Sequence, residues 1–337
     1  HLRIERSVRL VAHGDVVLDG DGSGDIVEIL APDVSIIGFT IRNTGIDLDH
    51  ENAAIRVVAP RVTIENNVLE DILFGIDLRE SPDSRVVGNR IGGKKLDIAR
   101  RGDGLRLWRS DRALVEGNTI HDGRDAILWY SSGITVRNNT SERCRYGLHL
   151  MYSDNVTIED NRLTGNSVGI YLMYAERTVV RNNVISHATG AAGMAIGFKE
   201  SSDSDIEDND FIYCAIGVGS DLSPFQPGSS VRFRRNRFAY NGIGVHFTSD
   251  LGGNEFSDNV FEGNLSDVVQ SGRGRSGLNQ WRGNYFDTYA GFDRDGDGRG
   301  DTPHAEYAYA DRIWIEIPTA RFFMLTPVME LLDFLER

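Results

Sequence analysis

Gly147-Leu-His-Leu-Met-Tyr-Ser153 and its echo Gly169-Ile-Tyr-Leu-Met-Tyr-Ala175 stand 22 residues apart. Apolar residues fall at every second position in both, which is the period of a strand. The same unit recurs upstream as Gly75-Ile-Asp-Leu-Arg-Glu-Ser81, Gly104-Leu-Arg-Leu-Trp-Arg-Ser110 and Ala126-Ile-Leu-Trp-Tyr-Ser-Ser132, and downstream as Gly244-Val-His-Phe-Thr-Ser-Asp250. A second mark, Val-x-Ile/Val-x-x-Asn-x-Ile/Leu/Phe, precedes each of them. Its asparagines are Asn67, Asn89, Asn118, Asn139, Asn161, Asn183, Asn209, Asn236, Asn259 and Asn284, spaced by 21 to 29 residues. An earlier copy, Val34-Ser-Ile-Ile-Gly-Phe-Thr-Ile41, has Phe39 in the asparagine's place.

None of the units carries the three- and four-residue spacing of a helical repeat. The period is that of one coil of a parallel β-helix, in which equivalent asparagines stack and bond along a ladder. The expected fold is all-β: a right-handed, single-stranded parallel β-helix of about eleven or twelve rungs, its hand following the crossover rule. It should occupy residues 1–286, with residues 287–337 forming an acidic loop, a strand-like run at Ile313–Ile317 and a short C-terminal α-helix. That helix should run from Thr326, an N-cap, through Pro327 in the first turn, with Val328, Leu331, Leu332 and Leu335 on one face. It either caps the solenoid or docks on a partner.

Such a repeat makes one continuous core, so 337 residues need not divide into separate globules. The 37 glycines and only 8 prolines suit many turns between short strands. A net charge of -14 with no basic tract argues against a nucleic-acid partner and suits cations or a basic protein. No run approaches the length of a membrane span. His1 is no initiator, so the chain is read as processed or trimmed. Cys144 and Cys214 occupy one column three rungs apart, roughly 14 Å. That exceeds the reach of a disulfide, so two free, buried thiols are expected.

Register assigns directions. Leu148 and Leu150 point inward, His149 and Met151 outward, and likewise Ile170 and Leu172 inward, Tyr171 and Met173 outward. Met151 should lie over Met173 and His149 over Tyr171. The methionine column is expected to continue through Trp108, Tyr130 and Lys199, and the histidine column through Asp77, Arg106, Leu128 and His246.

Three constellations carry chemistry. In the first, His149, Met151 and Met173, with Met194 nearby, offer soft thioether and imidazole donors suited to Cu(I). The same methionines beside Trp108, Tyr130, Tyr152 and Tyr174 also make an apolar docking face, and the two readings are compatible. In the second, Asp293, Asp295, Asp297 and Asp301 take positions 1, 3, 5 and 9 of an EF-hand-type calcium loop, with Gly298 at position 6. His304 replaces the glutamate at position 12, where Glu306 is a substitute within reach. The role expected of Ca2+ is structural. The third is an enzyme cleft, with polar groups at His121, Asp122, Arg124 and Asp125 and at Asp47, Asp49, His50 and Glu51, but no converging carboxylate set. His13, His187, His246 and His304 read as surface or turn residues.

The units Gly147–Ser153, Gly169–Ala175 and Gly123–Ser131, with the closing Pro327–Arg337, resemble the NosD family over nearly the whole chain. The resemblance implies a periplasmic, non-enzymatic β-helix protein that delivers copper in the maturation of nitrous oxide reductase. It implies an ABC transporter permease and ATPase as partners, with the reductase as recipient and a copper-donor lipoprotein as source. The export signal would lie outside this chain. Carried over by residue, His149, Met151 and Met173 are the copper-handling positions, and the helix from Thr326 faces the transporter. The alternatives are a carbohydrate-binding or carbohydrate-processing β-helix, and a metal-free scaffold bridging transporter and reductase.

Overall fold

A computed structural model describes residues 1–271, 278–304, 317–323, 326–328 and 331. The chain winds through three parallel sheets of 12 strands each, so every coil contributes one strand to each sheet. The strands run from Leu2–Ile4 to Tyr285–Phe286, and each pairs in parallel with its equivalents one coil away. The expected β-helix is therefore the fold.

Alternation builds the core. Inward residues of the three sheets form one cluster, aliphatic in the early coils (Ile29, Ile55, Leu78, Leu107) and aromatic in the later ones. There Phe238, Phe261 and Phe286 stack with centroids 4.6 and 4.8 Å apart, and Phe211 tilts against Phe238 at 5.2 Å. Phe233, Phe256 and Trp281 stack beside them at 4.5 and 4.2 Å. Rung spacing and ring thickness match, so one column holds one kind of side chain.

The asparagine ladder exists as drawn from the sequence. From Asn89 to Asn284 each side-chain carbonyl accepts two bonds from the preceding asparagine, one from its backbone N–H and one from its Nδ2. Phe39 joins the end of the ladder by donating its N–H to Asn67 Oδ1 at 3.0 Å. A second ladder, of serines, was not foreseen. The N–H groups of Ser81, Ser110 and Ser131 donate to the hydroxyls of Ser110, Ser131 and Ser153. This is the reason serine ends the Leu-Met-Tyr-Ser unit, with the tyrosines before Ser131 and Ser153, Tyr130 and Tyr152, in the left-handed region (φ 49° and 52°). The tail is only partly described: Pro318–Phe323 is a 3-10 helix and Pro327, Val328 and Leu331 are helical. The strand-like run before Ile317 and the rest of the terminal helix lie outside the described residues.

Both cysteines are buried and free, as expected. Burial pushes each thiol up to about 11, so neither is a ready thiolate ligand.

Candidate metal centre on the outer face of the first sheet

Four consecutive strands of one sheet position the candidate site: Asp125–Trp129, Tyr146–Met151, Val168–Met173 and Met194–Lys199. Leu148, Leu150, Ile170 and Leu172 anchor the middle two in the core, which turns His149, Met151, Tyr171 and Met173 to the other face. Met151 lies in register over Met173, and His149 over Tyr171. Both pairings agree with the sequence.

Two neighbours differ. The register shifts between Asp125 and Ile127, so Trp129, not Tyr130, lies beneath Met151, and Ile127, not Leu128, beneath His149. An irregularity of this kind offsets every later residue of its strand. The displaced Tyr130 instead heads an exposed ring stack with Tyr152 and Tyr174, at 5.0 and 4.6 Å. The indole N–H of Trp129 is buried and has no hydrogen-bond partner among the described residues.

His149 is outward by alternation yet buried, with 6% of its surface exposed. Tyr146, at the start of the same strand, meets its ring edge-on at 4.8 Å, Arg145 lies over Tyr146 and Tyr171 stacks at 6.1 Å, and together they cover it. Beneath this cover, Asp125 Oδ2 is 3.3 Å from His149 Nδ1, and His149 Nε2 is 3.2 Å from Met173 Sδ. Burial alone would raise the Asp125 carboxyl. The bonds to His149 and Arg145 outweigh it and hold the group below the usual carboxylate range. An ionised Asp125 can only accept, so it places the ring proton on Nδ1. In the neutral ring Nε2 is then a lone pair aimed at the lone pairs of a thioether. Imidazole nitrogen and thioether sulfur so converge on one point, and Met151 stands one rung away. That donor set fits a soft cation, with the carboxylate orienting the ligand histidine from behind.

Along the His149 column the surface changes character. Upstream it is ionic: Arg56, Asp77 and Arg106 are successive partners. Arg106 bonds Asp77 at 2.8 Å and Glu51 at 2.7 Å, and Arg106 holds Glu51 down to about 2. Downstream the partners are Tyr171, Gly197, Gly219 and His246. His246 thus continues the histidine column as the register predicts, on a strand rather than in a turn, and burial lowers its imidazole.

The polar groups considered for an enzyme cleft come apart. Asp122 bonds His121 and Arg143, whereas Asp125 turns to His149, and Arg124 bonds Asp103. Glu51 is held by arginines, and His50 bonds Asp47. The pairing of Asp125 with His149 was not legible in the sequence because Asp125 lies 24 residues before His149, off the 22-residue beat of the units.

In the acidic loop, ligand oxygens of Asp293, Asp295 and Asp297 lie within 4.8 Å of one another. The amides of Gly298 and Gly296 hold Asp293 below the ordinary range. Asp301 accepts from the Arg294 N–H at 2.7 Å and is not in that trio. His304, at position 12, stacks on Phe286 at 4.1 Å. Glu306 lies outside the described residues.

The chain resembles known proteins at two levels. A family model described as NosD, periplasmic copper-binding protein, matches residues 87–291. A protein of Pseudomonas aeruginosa and one of Stutzerimonas stutzeri, each named probable ABC transporter binding protein NosD, are 31% and 29% identical. Each alignment covers 99% of this chain, and 81% and 79% of the two relatives respectively. Among solved structures, an exopolygalacturonase from Thermotoga maritima has a TM-score of 0.61 at 10% identity, covering 80% of this chain and 85% of its own. A mannuronic acid specific polysaccharide family 6 lyase from human gut microbiota has a TM-score of 0.54 at 15% identity, covering 80% and 76%. At such identities the two structures share the fold alone.

Proposed function

This chain belongs to the NosD family of periplasmic copper-binding proteins, and we propose that it accepts Cu(I) on the outer face of its first sheet and passes it on during assembly of the copper centres of nitrous oxide reductase. The observation that carries this reading is the convergence of His149 Nε2 and Met173 Sδ at 3.2 Å, with Asp125 behind the imidazole. Met151 and Met173 act as soft ligands and His149 as the third. All three are uncharged donors, which suit a monovalent soft ion better than a hard divalent one. The methionines are half-buried, so an incoming ligand reaches the ion from solvent while His149 holds it from below. Such an arrangement favours exchange over storage.

The names of the relatives support an ABC transporter as the assembly partner, and its permease and ATPase rest on the family resemblance. Nitrous oxide reductase as recipient and a copper-donor lipoprotein as source rest on the family resemblance. On this reading the protein works in the periplasm as a carrier rather than an enzyme, and the arginine partners of Glu51, Asp122 and Asp125 support it. In the acidic loop Ca2+ would tie the chain down after the last rung, held by Asp293, Asp295 and Asp297 with Asp301 nearby.

An anaerobic Cu(I) titration against a competing chromophoric chelator tests the site. Wild type should bind tightly and saturably, and Met151→Ala with Met173→Ala should remove one equivalent while the far-ultraviolet spectrum stays the same. Retention of every equivalent in the double variant would overturn the site. No binding by wild type would favour the metal-free scaffold.

A further inference from the structure

The His149 column has a gap in it. At Gly197 and Gly219 the outward positions carry no side chain, and neighbouring residues lean into the space. The Tyr171 ring lies over Gly197, where a Cβ would meet its Cδ2 at 2.5 Å. Met194 belongs to the adjacent outward column, in register with Val168 and Ile216. Its sulfur nevertheless reaches sideways over Gly219, 2.4 Å from where a Cβ would stand. His246 is the register partner of Gly219 on the next strand. With glycine between them, nothing at that position separates the Met194 thioether from the His246 imidazole, about one rung of roughly 4.8 Å away. His246 Nε2 is 2.7 Å from Ser271 Oγ, which fixes the ring. Among the described residues its Nδ1 has no hydrogen-bond partner. Both residues are half-buried.

We propose that Met194 and His246 form a second soft-metal station on the same face, beyond Tyr171 from the His149–Met151–Met173 site. The ion it takes is Cu(I), held between thioether sulfur and imidazole nitrogen, with Ag(I) as its redox-inert equivalent. The two glycines are what make it: any side chain at Gly219 would occupy the place of the Met194 sulfur. Two stations on one sheet, separated by an aromatic ring that lends π-face to a passing cation, give a carrier with an entry and an exit position. The identity of the ion rests on the copper reading above, whereas the site rests on its own donors.

The test is an anaerobic Ag(I) titration of the full chain by calorimetry, repeated with Cu(I) against a chelator. The proteins are wild type, Met194→Leu with His246→Gln, Met151→Ala with Met173→Ala, and Gly219→Ala. Wild type should take two equivalents, and each double variant one. Gly219→Ala should weaken the second equivalent by more than about tenfold, because the sulfur is displaced from its seat. If Met194→Leu with His246→Gln binds as wild type does, the second station is wrong and the first is untouched. If instead that variant removes the only equivalent and the Met151/Met173 variant keeps it, the second station stands and the first falls. Absence of binding in wild type overturns both.

Discussion

In the proposed site, Asp125 sets the tautomer in which His149 would serve as a ligand. Its carboxylate is buried, accepts from Arg145 Nε at 2.9 Å and faces His149 Nδ1. Asp125→Asn keeps the shape and removes the charge. It should cost about 1.5–3 kcal/mol, the range for a hydrogen bond to a charged group, and weaken Cu(I) binding by letting the imidazole change tautomer. The pH dependence has a definite sign. Because the folded carboxyl lies below its unfolded value, the wild type's advantage is complete above the usual carboxylate range, near about 4. It should shrink as pH falls through that range towards the depressed folded value. Thermal unfolding of both proteins between neutral and acid pH checks this. A stability gap that stays constant into acid would mean that Asp125 is not the ionised partner of this cluster. Loss of stability without loss of Cu(I) affinity would confine Asp125 to the fold.

Elements were legible in the sequence to the extent that each obeys its own period. The asparagine ladder was readable because each buried side-chain carbonyl accepts from the asparagine of the preceding coil, so its spacing is fixed by the coil. The inward leucines and free cysteines followed from the same register. What the sequence hid was produced by departures from the period: the shift at Asp125/Ile127 that exchanges Tyr130 for Trp129, and the sideways reach of Met194 across a glycine. The burial of His149 was hidden for another reason, since Tyr146 from the adjacent position adds to the cover that Tyr171 gives from its own column. The acidic loop is an element whose chemistry is readable but incomplete. Three of its four carboxylates converge, while His304 stacks on Phe286 and leaves position 12 without a bidentate glutamate. Calcium should therefore bind weakly, with a Kd on the order of 0.1–1 mM, as in extracellular modules. Calorimetry with Ca2+ should show this heat in wild type and none in Asp293→Ala with Asp295→Ala. Equal heats from both proteins would sink the calcium reading.

At the scale of the molecule, one solenoid offers the same outer sheet to very different chemistry, and what occupies the columns decides between them. The exopolygalacturonase and the lyase share this architecture at 10% and 15% identity, so their activities do not come with it. Sugar hydrolysis needs two carboxyl groups flanking one bond, one of them free to give a proton. Here the first sheet divides lengthwise into an ionic stretch, where Asp77 and Glu51 are held by Arg56, Arg79 and Arg106, and a soft stretch of methionine, histidine and tyrosine. Stacking of sugars is disfavoured as well. Tyr130, Tyr152 and Tyr174 lie face to face with one another along the axis at interplanar angles of 7° and 8°, so the inner faces of the stack are already covered. Incubation with polygalacturonate and with alginate should accordingly liberate neither reducing ends nor unsaturated uronates. Release that depends on folded protein would replace the copper carrier with an enzyme. If that release disappeared in Asp125→Asn but survived in Met151→Ala with Met173→Ala, the carboxylate behind His149 would be the acid or base, and the methionines only its wall.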